Sequence, residues 1–427
     1  MKLAIAGYGL EGKASYEYWN TGEHEITIAD ERTEVEVPNG AKSIVGEDAF
    51  SRLNGFDMVI RTASLPPTRI TTDGKVWSAT NEFFEKCPAP IIGVTGTKGK
   101  GTTCSMIASI LKAAGKTVHL VGNIGTPALE VLPNIASGDI VVFELSSFQL
   151  WDIERSPQVG ACLMIERDHL NVHSSMEEYV GAKANIARFQ HEDDAFFFHP
   201  TNSYAAAIAL QTPAHINARY NCAEDMPSVY YDMHDFCYKG EAIVPLDALQ
   251  LRGDHNKENA CAALGIAKYC GVENTACEKG LRDFTGLPHR LKFVREVNGI
   301  KFYDDSISTT SGSAVAALRS FAEPKVIILG GSDKGGSYDD VISECKAHNA
   351  EVIAIGERGK AIAELCVNRD VTVQYVDGGM PQIVQAAYHH AENNGAVVIL
   401  SPASASFDMF RNYADRGNQF VSAVNDL

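Results

Sequence analysis

The run Thr95-Gly96-Thr97-Lys98-Gly99-Lys100-Gly101-Thr102-Thr103 has the chemistry of a phosphate cradle. Glycines let a backbone curl around phosphates, N–H groups at a helix start point at anions, and a lysine adds fixed positive charge. Lys100 is that lysine, and Thr102 or Thr103 can offer a hydroxyl to Mg²⁺. The pattern is not strict, because Val94 stands where a glycine is usual and Gly101 where Ser or Thr is usual. The flanks supply the context such a motif requires. Pro90 to Val94 reads as a buried strand, and Met106, Ile107, Ile110 and Leu111 recur at helical spacing just after the glycines. The competing reading is a plain glycine turn between two elements.

Other groups could complete a phosphoryl-transfer site. Glu144 closes the apolar strand Asp139 to Glu144, at the strand edge where α/β folds bind ligands and where a carboxylate can hold Mg²⁺. Asp168-His169 follows a second apolar run, Gly160 to Ile165, and His169 could ligate a metal through a neutral imidazole or be a loop histidine. Lys183 lies in a helical stretch from Met176, where a solvated surface lysine is the ordinary reading. Asn256 and Asn259 share a helix face and could meet a purine edge or simply cap and solvate the helix. Arg290 stands in a linker, Thr285 to Arg290, and suits a phosphate that appears when domains close. Gly330 to Gly336 and Ser401 to Ser406 both follow strands and should share one sheet edge, a natural site for a small anion.

Elements that must position these residues alternate, strand then helix, from end to end, which predicts α/β domains with mainly parallel sheets. Lys2 to Ala6 is a strand, Gly7-Tyr8-Gly9-Leu10-Glu11-Gly12 a glycine turn, and Glu25 to Asp30 the next strand; glycines and a strand-ending acid in this order form a dinucleotide-fold fingerprint. A first boundary is expected near Cys87 to Pro90, a last central helix at Asn256 to Tyr269, and a third unit from about Ile300 with strands Lys325–Leu329, Glu351–Ile355 and Ala396–Leu400. At 427 residues the chain is too long for one ordinary core. Hydrophobic content of 45% and charged content of 21% describe a globular protein, and a formal net charge of −17 argues against nucleic acid as partner. Ten cysteines are scattered without a C-x-x-C pair, as expected of free thiols in a reducing compartment. No apolar stretch is long enough to span a membrane, so the cytoplasm is the expected location.

Taken together and in order, these blocks resemble the Mur ligase family, the ATP-dependent amide-bond-forming enzymes of peptidoglycan synthesis. Beside the phosphate loop, the resemblance rests on Gly122-Asn123-Ile124-Gly125-Thr126-Pro127, Glu144-Leu145-Ser146-Ser147-Phe148-Gln149-Leu150, Asp168-His169-Leu170, Asp254-His255-Asn256 and Leu287-Pro288-His289-Arg290. Ser401-Pro402-Ala403-Ser404-Ala405-Ser406-Phe407-Asp408 is similar to the block of the glutamate-adding branch. The resemblance implies three domains: a Rossmann-like UDP-substrate domain over 1–88, a P-loop ATP domain over 89–291 and a Rossmann-like amino-acid domain over 292–427. It implies that Gly96 to Thr103, Asn256, Asn259, Arg290 and Asp305 bind ATP, with Lys100, Glu144, His169 and Lys183 catalytic. Thr102, Glu144, His169 and a carbamylated Lys183 would hold Mg²⁺ at two sites. Gly9, Leu10, Glu11, Asp30, Glu31, Arg32, Ser64, Asn123 and Ser146 would bind the UDP substrate, and Thr309, Lys334, Ser406 and Tyr413 glutamate.

The implied reaction is ATP-driven addition of D-glutamate to UDP-N-acetylmuramoyl-L-alanine by a monomer, through an acyl phosphate. This sequence departs from the family at Gly101, at Ile307 where a lysine is usual, and at Ser64-Leu65-Pro66, which lacks a glycine after the Ser-Pro position. Four readings stand beside it: an L-glutamate-adding variant, a folylpolyglutamate-type ligase, a nicotinamide-dependent dehydrogenase resting on Gly7, Gly9, Gly12 and Asp30, and a non-catalytic nucleotide sensor.

Overall fold

The computed structural model describes residues 1–39, 41–122, 126–225, 227–332, 336–392 and 395–427. These form two compact units, one of residues 1–250 and 254–284, the other of residues 251–253 and 285–427. The first unit holds a parallel sheet of β1 (Lys2–Ala6), β2 (Glu25–Asp30), β3 (Lys42–Val45), β4 (Met58–Arg61) and β5 (Lys75–Ser78) in the order β3-β2-β1-β4-β5. Its second parallel sheet comprises β6 (Ile91–Thr95), β7 (Val118–Gly122), β8 (Ile140–Glu144), β9 (Val159–Cys162), β10 (Ala195–Phe198) and β11 (Ile216–Arg219), ordered β11-β10-β9-β6-β8-β7. An antiparallel meander follows: β12 (Val229–Tyr231), β13 (Asp235–Tyr238) and β14 (Glu241–Pro245). In the second unit β15 (Lys292–Val297) and β16 (Ile300–Asp304) form a hairpin that extends a parallel group of β17 (Lys325–Gly330), β18 (Glu351–Ile355), β19 (Val373–Val376) and β20 (Val397–Leu400), ordered β15-β16-β20-β17-β18-β19.

Helices of the first unit are α1 (Leu10–Trp19), α2 (Ala79–Lys86), α3 (Lys100–Ala113), α4 (Ala128–Val131), α5 (Ser147–Leu150), α6 (Met176–Arg188), α7 (Ser203–Ala209), α8 (Asp254–Tyr269) and α9 (Asn274–Asp283). The second unit has α10 (Ser311–Arg319), α11 (Asp339–Ala347), α12 (Gly359–Asn368), α13 (Met380–Glu392) and α14 (Tyr413–Asn425). Strands such as Val141-Val142-Phe143 and Val326 to Leu329 are buried along their whole length, as parallel strands covered on both faces must be. In the second unit α10, α11 and α12 cover one face of the sheet and α13 and α14 the other.

Two sequence expectations are corrected. The strand expected to run to Ile165 ends at Cys162; Leu163 N–H still bonds Thr95 O at 2.9 Å, but the chain then turns to carry Asp168 and His169. The helix at Asn256 to Tyr269 is not the last of its region, because α9 follows it and packs on α3: a Cβ on Gly280 would collide with Ile110 backbone. Its polar sequence, Asn274-Thr275-Ala276-Cys277-Glu278-Lys279, hides the narrow apolar stripe of Cys277 and Leu281. All ten cysteines are free, as expected.

Both units are pinned by a buried arginine. Arg61 ends β4 and is fully buried. Its guanidinium donates to Thr62, Ala63 and Leu65 carbonyls, so the loop after β4 wraps it, and to Phe148 O at 3.0 Å. It also grips the Asp152 carboxylate in a two-pronged pair at 2.9 and 2.5 Å. The fork geometry of arginine makes this contact specific. One side chain therefore ties the first sheet to the segment after β8 in the second. Arg61→Ala leaves the Asp152 carboxylate and several carbonyls without their donor. We expect a loss of roughly 3 kcal/mol in urea unfolding, the scale for breaking one side of a buried pair. A loss below about 1 kcal/mol would show that the tie is ornamental.

Candidate active site

Residues 95–103 run from the end of β6 through a turn, residues 96–99, into the first turn of α3. Gly96 (φ 144°) and Gly99 (φ 86°) occupy backbone conformations that favour glycine. A Cβ on Gly99 would lie 2.5 Å from Asn259 Oδ1, which places the start of α8 against the loop. Lys100 opens α3, and its ammonium donates to Gly96 O at 3.1 Å and Thr97 O at 3.0 Å, holding the loop in a ring. Thr97 is tied on the other side: its N–H bonds Met164 O, and its hydroxyl accepts from Glu166 N and meets Tyr179 Oη at 3.0 Å. Lys98 points outward and pairs with Glu166 at 3.1 Å. Gly101, Thr102 and Thr103 are buried in the first turn of α3, and the Thr103 hydroxyl has no partner among the described residues.

Lys183 is not a surface lysine. It is 1% exposed, and its ammonium donates to Gly96 O at 2.9 Å and approaches Thr95 Oγ1 at 3.3 Å. The Tyr179 ring centre lies 4.7 Å away. Two lysines thus converge on one carbonyl oxygen. Burial, and secondarily the nearby Lys100 charge, depress Lys183 to about 7, while Asp168 and Glu144 act in the opposite direction. Glu144 ends β8 with only 6% of its surface exposed, as its sequence position implied. His169 sits half-exposed in a left-handed conformation (φ 54°), its ring 4.9 Å from that of Phe148. Ser146 caps α5 in a reciprocal box with Gln149.

Among the described residues no group of three or more His, Cys, Asp or Glu is placed to hold a metal. The donor set would therefore have to be mixed: Glu144, His169, a threonine hydroxyl and Lys183 with its charge inverted. A buried amine depressed to about 7 has the chemistry for that inversion, since the neutral form can add CO₂ to give an anionic carbamate. On α8, Asn259 donates to Asn256 Oδ1 at 3.3 Å, so the pair does share a face.

A cleft of about 360 Å³ opens at the carboxyl edge of the first sheet, between the loops after β1 and β4, where strand order reverses. Gly9, Asp30, Glu31, Arg32 and Ser64, singled out in the sequence, line it together. Leu10 is exposed outside this lining, and Glu11 turns inward to accept from Ala63 N at 2.6 Å. Ser146 is not part of it, and Asn123 lies outside the described residues. Asp30 accepts from Arg32 side chain and backbone and from Tyr8 N, and these contacts hold it down to about 2. The sequence reading missed Tyr8, Phe50 and Arg69, which also line the cleft. Arg69 pairs with Glu31 and lies 5.9 Å from the Phe50 ring centre; no spacing signal marks it.

In the second unit, Asp305 is buried and accepts from Leu291 N at 3.0 Å and Ser401 Oγ at 2.7 Å; burial lifts it to about 6. Arg290 lies between His289 (φ 60°) and Leu291 (φ 44°), a strained turn of the kind found at ligand sites. Ile307 N–H bonds His289 O, joining this turn to the segment that carries half-buried Thr309. The loops after β17 and β20 do share one edge and pair with each other, Ser332 N–H to Ala405 O and Gly330 N–H to Pro402 O. Ser406 is buried there and Tyr413, at the start of α14, is exposed; Lys334 lies outside the described residues. Arg416, missed in the sequence, is fully buried and donates to Ser306 Oγ, Ser306 O, Ser404 O and Ala405 O. It binds the loops after β16 and β20 into one body.

A sequence profile of the Mur ligase middle domain matches residues 94–267, and one of the Mur ligase glutamate ligase domain matches residues 289–404. A UDP-N-acetylmuramoylalanine–D-glutamate ligase of Streptococcus thermophilus is 37% identical over 443 residues, covering 100% of this chain and 97% of the relative. The enzyme of that name from Acetivibrio thermocellus is 35% identical over 454 residues, covering 100% and 96%. Among solved structures, the UDP-N-acetylmuramate–alanine ligase of Thermotoga maritima matches with a TM-score of 0.63 at 15% identity, over 100% of this chain and 99% of that one. The MurF ligase of Thermotoga maritima in complex with ADP matches at 0.60 and 16% identity, over 99% and 94%. At such identities the structures speak for the fold alone, an α/β architecture with mostly parallel sheets. With both profiles in order and full-length relatives above 30% identity, this chain belongs to the Mur ligase family, in its UDP-N-acetylmuramoylalanine–D-glutamate ligase branch.

Proposed function

We propose that this protein joins D-glutamate to UDP-N-acetylmuramoyl-L-alanine at the expense of ATP, in the cytoplasm and as a monomer of three domains over 1–88, 89–291 and 292–427. The observation that carries the chemistry is the convergence of Lys100 and Lys183 on Gly96 O beside buried Glu144. In this reading Lys100 leaves the loop carbonyls for the β- and γ-phosphates of ATP, and the N–H groups at the start of α3 cradle them. The acceptor carboxylate takes the γ-phosphoryl group, the glutamate amine attacks the acyl phosphate, and phosphate leaves. Mg²⁺, when bound, offsets charge on the phosphoryl group; Glu144, His169, Thr102 and carbamylated Lys183 are the residues to hold it at two positions. Gly9, Leu10, Glu11, Asp30, Glu31, Arg32, Ser64, Asn123 and Ser146 are assigned to the UDP substrate. Asn256, Asn259, Arg290 and Asp305 are assigned to nucleotide, and Thr309, Lys334, Ser406 and Tyr413 to glutamate.

The dehydrogenase reading rests on the glycine turn after β1 and on Asp30, and it leaves the phosphate loop with Lys100, Lys183 and Glu144 and the paired loops after β17 and β20 without a role. Phosphate release that requires both a UDP-muramoyl acceptor and an amino acid tests the reading against the folylpolyglutamate ligase and the sensor. D-glutamate alone should support release, with product of the expected mass; release with L-glutamate alone would assign the other enantiomer and point to Ile307 as the reason.

Two variants test the site. Lys100→Ala should keep the circular dichroism spectrum and lose roughly 10² or more in kcat, since a fixed charge at the phosphates matters most in the transition state. Near-normal turnover would remove Lys100 from the site. For Lys183 the sign is worked from its depressed value. Between about 7 in the fold and roughly 10.4 unfolded, the unfolded chain holds the extra proton. Native stability therefore rises with pH across that window, and the burial penalty is complete below it. Lys183→Met should thus melt higher than the parent near pH 6, with the gap narrowing above pH 7, while ligation is lost. An equal gap at all pH values, or retained ligation, contradicts this.

A further inference from the structure

We infer that His173 is a positioning residue for the phosphoryl-transfer site: it locks the loop that carries His169 to the helix that follows Glu144. The inference rests on the ligase reading above and deepens it. His173 is 1% exposed and is enclosed by three rings from two elements and their flank. The Phe148 ring is stacked on it at 5.4 Å with planes 2° apart, Trp151 lies at 4.2 Å and Tyr179 at 5.3 Å. Its Nε2 is 3.0 Å from the buried Ser147 Oγ, and its backbone N–H donates to His169 O at 2.9 Å. Nδ1 is buried and has no hydrogen-bond partner among the described residues.

An imidazole with one buried nitrogen unbonded among the described residues is an unfavourable core filler, because a buried polar atom without a partner keeps its desolvation cost. A phenyl ring would stack equally well without that cost. What it could not supply is the bond to Ser147. Ser147 is the first residue of α5, inside the Ser146–Gln149 capping box and next to Phe148, and lies three residues beyond Glu144. Within its own loop the His173 backbone N–H, together with that of Val172, donates to His169 O and closes the turn in which His169 takes a left-handed conformation uncommon outside glycine. Tyr179, the third wall, bonds Thr97 of the phosphate loop and lies under the Lys183 ammonium. The His173 ring therefore packs between α5 and its flank, which follow Glu144, and the Tyr179 side of α6, which carries Lys183 and reaches the phosphate loop, while standing behind the site.

The test uses the full chain and Mn²⁺ binding in the presence of ADP, followed by electron paramagnetic resonance, alongside steady-state ligation and thermal melting. His173→Phe keeps the stack and removes the bond; Ser147→Ala removes the bond from the other side and spares the core; His173→Gln restores a polar group at the ε position. We expect His173→Phe and Ser147→Ala each to weaken Mn²⁺ about tenfold, the scale for groups that orient metal ligands. KM for the UDP acceptor should stay within about twofold, the double variant should be no worse than either single one, and His173→Gln should recover most of the loss. Unchanged Mn²⁺ affinity in His173→Phe and Ser147→Ala, with His169→Ala still impaired, overturns the inference and leaves the ligase reading standing. Single effects that multiply in the double variant overturn it too. Unchanged Mn²⁺ affinity in His169→Ala overturns the metal assignment itself and this inference with it.

Discussion

One carbonyl oxygen, that of Gly96, accepts hydrogen bonds from two lysine ammonium groups, Lys100 at 3.1 Å and Lys183 at 2.9 Å. Two like charges on one acceptor, one of them almost fully enclosed, is an arrangement under electrostatic tension. The nearby Asp168 and Glu144 carboxylates offset it in part, and the Tyr179 ring closes one side of the Lys183 ammonium. The tension has two releases. An anion in the loop draws Lys100 outward, and loss of the Lys183 proton leaves an amine that can become a carbamate. In the proposed reaction both releases would prepare the same centre for a phosphoryl group.

The fold delivers this centre by topology. Parallel sheets bring their carboxyl ends to one edge, and the ends of β6, β8 and β9 stand side by side, so the phosphate loop, Glu144 and the Asp168-His169 turn become neighbours although far apart in sequence. The first sheet repeats the device with the cleft at Gly9, Asp30 and Ser64, and the second unit repeats it with the paired loops after β17 and β20. Buried guanidinium groups then fasten such loops by their carbonyls. Arg61 holds the loop beside Ser64 and the segment after α5; Arg416 holds the loops of Ser306 and Ser404. Arginine suits the task, because one planar group carries five donors and so serves several carbonyls at once.

What was legible in the sequence follows from this division. The glycine loop, the strand-ending Glu144 and the Asp30 fingerprint announce themselves because their chemistry is tied to a local strand–turn–helix pattern. Strand ends at Ala6, Asp30 and Glu144 were readable from apolar runs. Lys183 was not legible from its own helix: its neighbours give no hint that a strand end and a tyrosine ring will enclose it, and only the family resemblance overrode the ordinary surface reading. Arg61, Arg416 and His173 were invisible for the same reason. Their partners are backbone carbonyls and rings drawn from distant segments, and a carbonyl leaves no trace in residue type. Helix α9 was missed because two buried residues, Cys277 and Leu281, make too narrow a stripe to stand out among charged neighbours.

The measurement that bears most directly on this account is an NMR titration of the lysine side chains in the native protein under CO₂-free conditions, with Lys183→Met used for assignment. The account predicts one lysine that titrates near pH 7 and disappears in that variant, with the remaining assigned signals otherwise in place. If the signal missing from Lys183→Met titrates above about pH 10, like an ordinary solvated lysine, the shared-carbonyl arrangement does not hold in solution and the chemistry built on it falls.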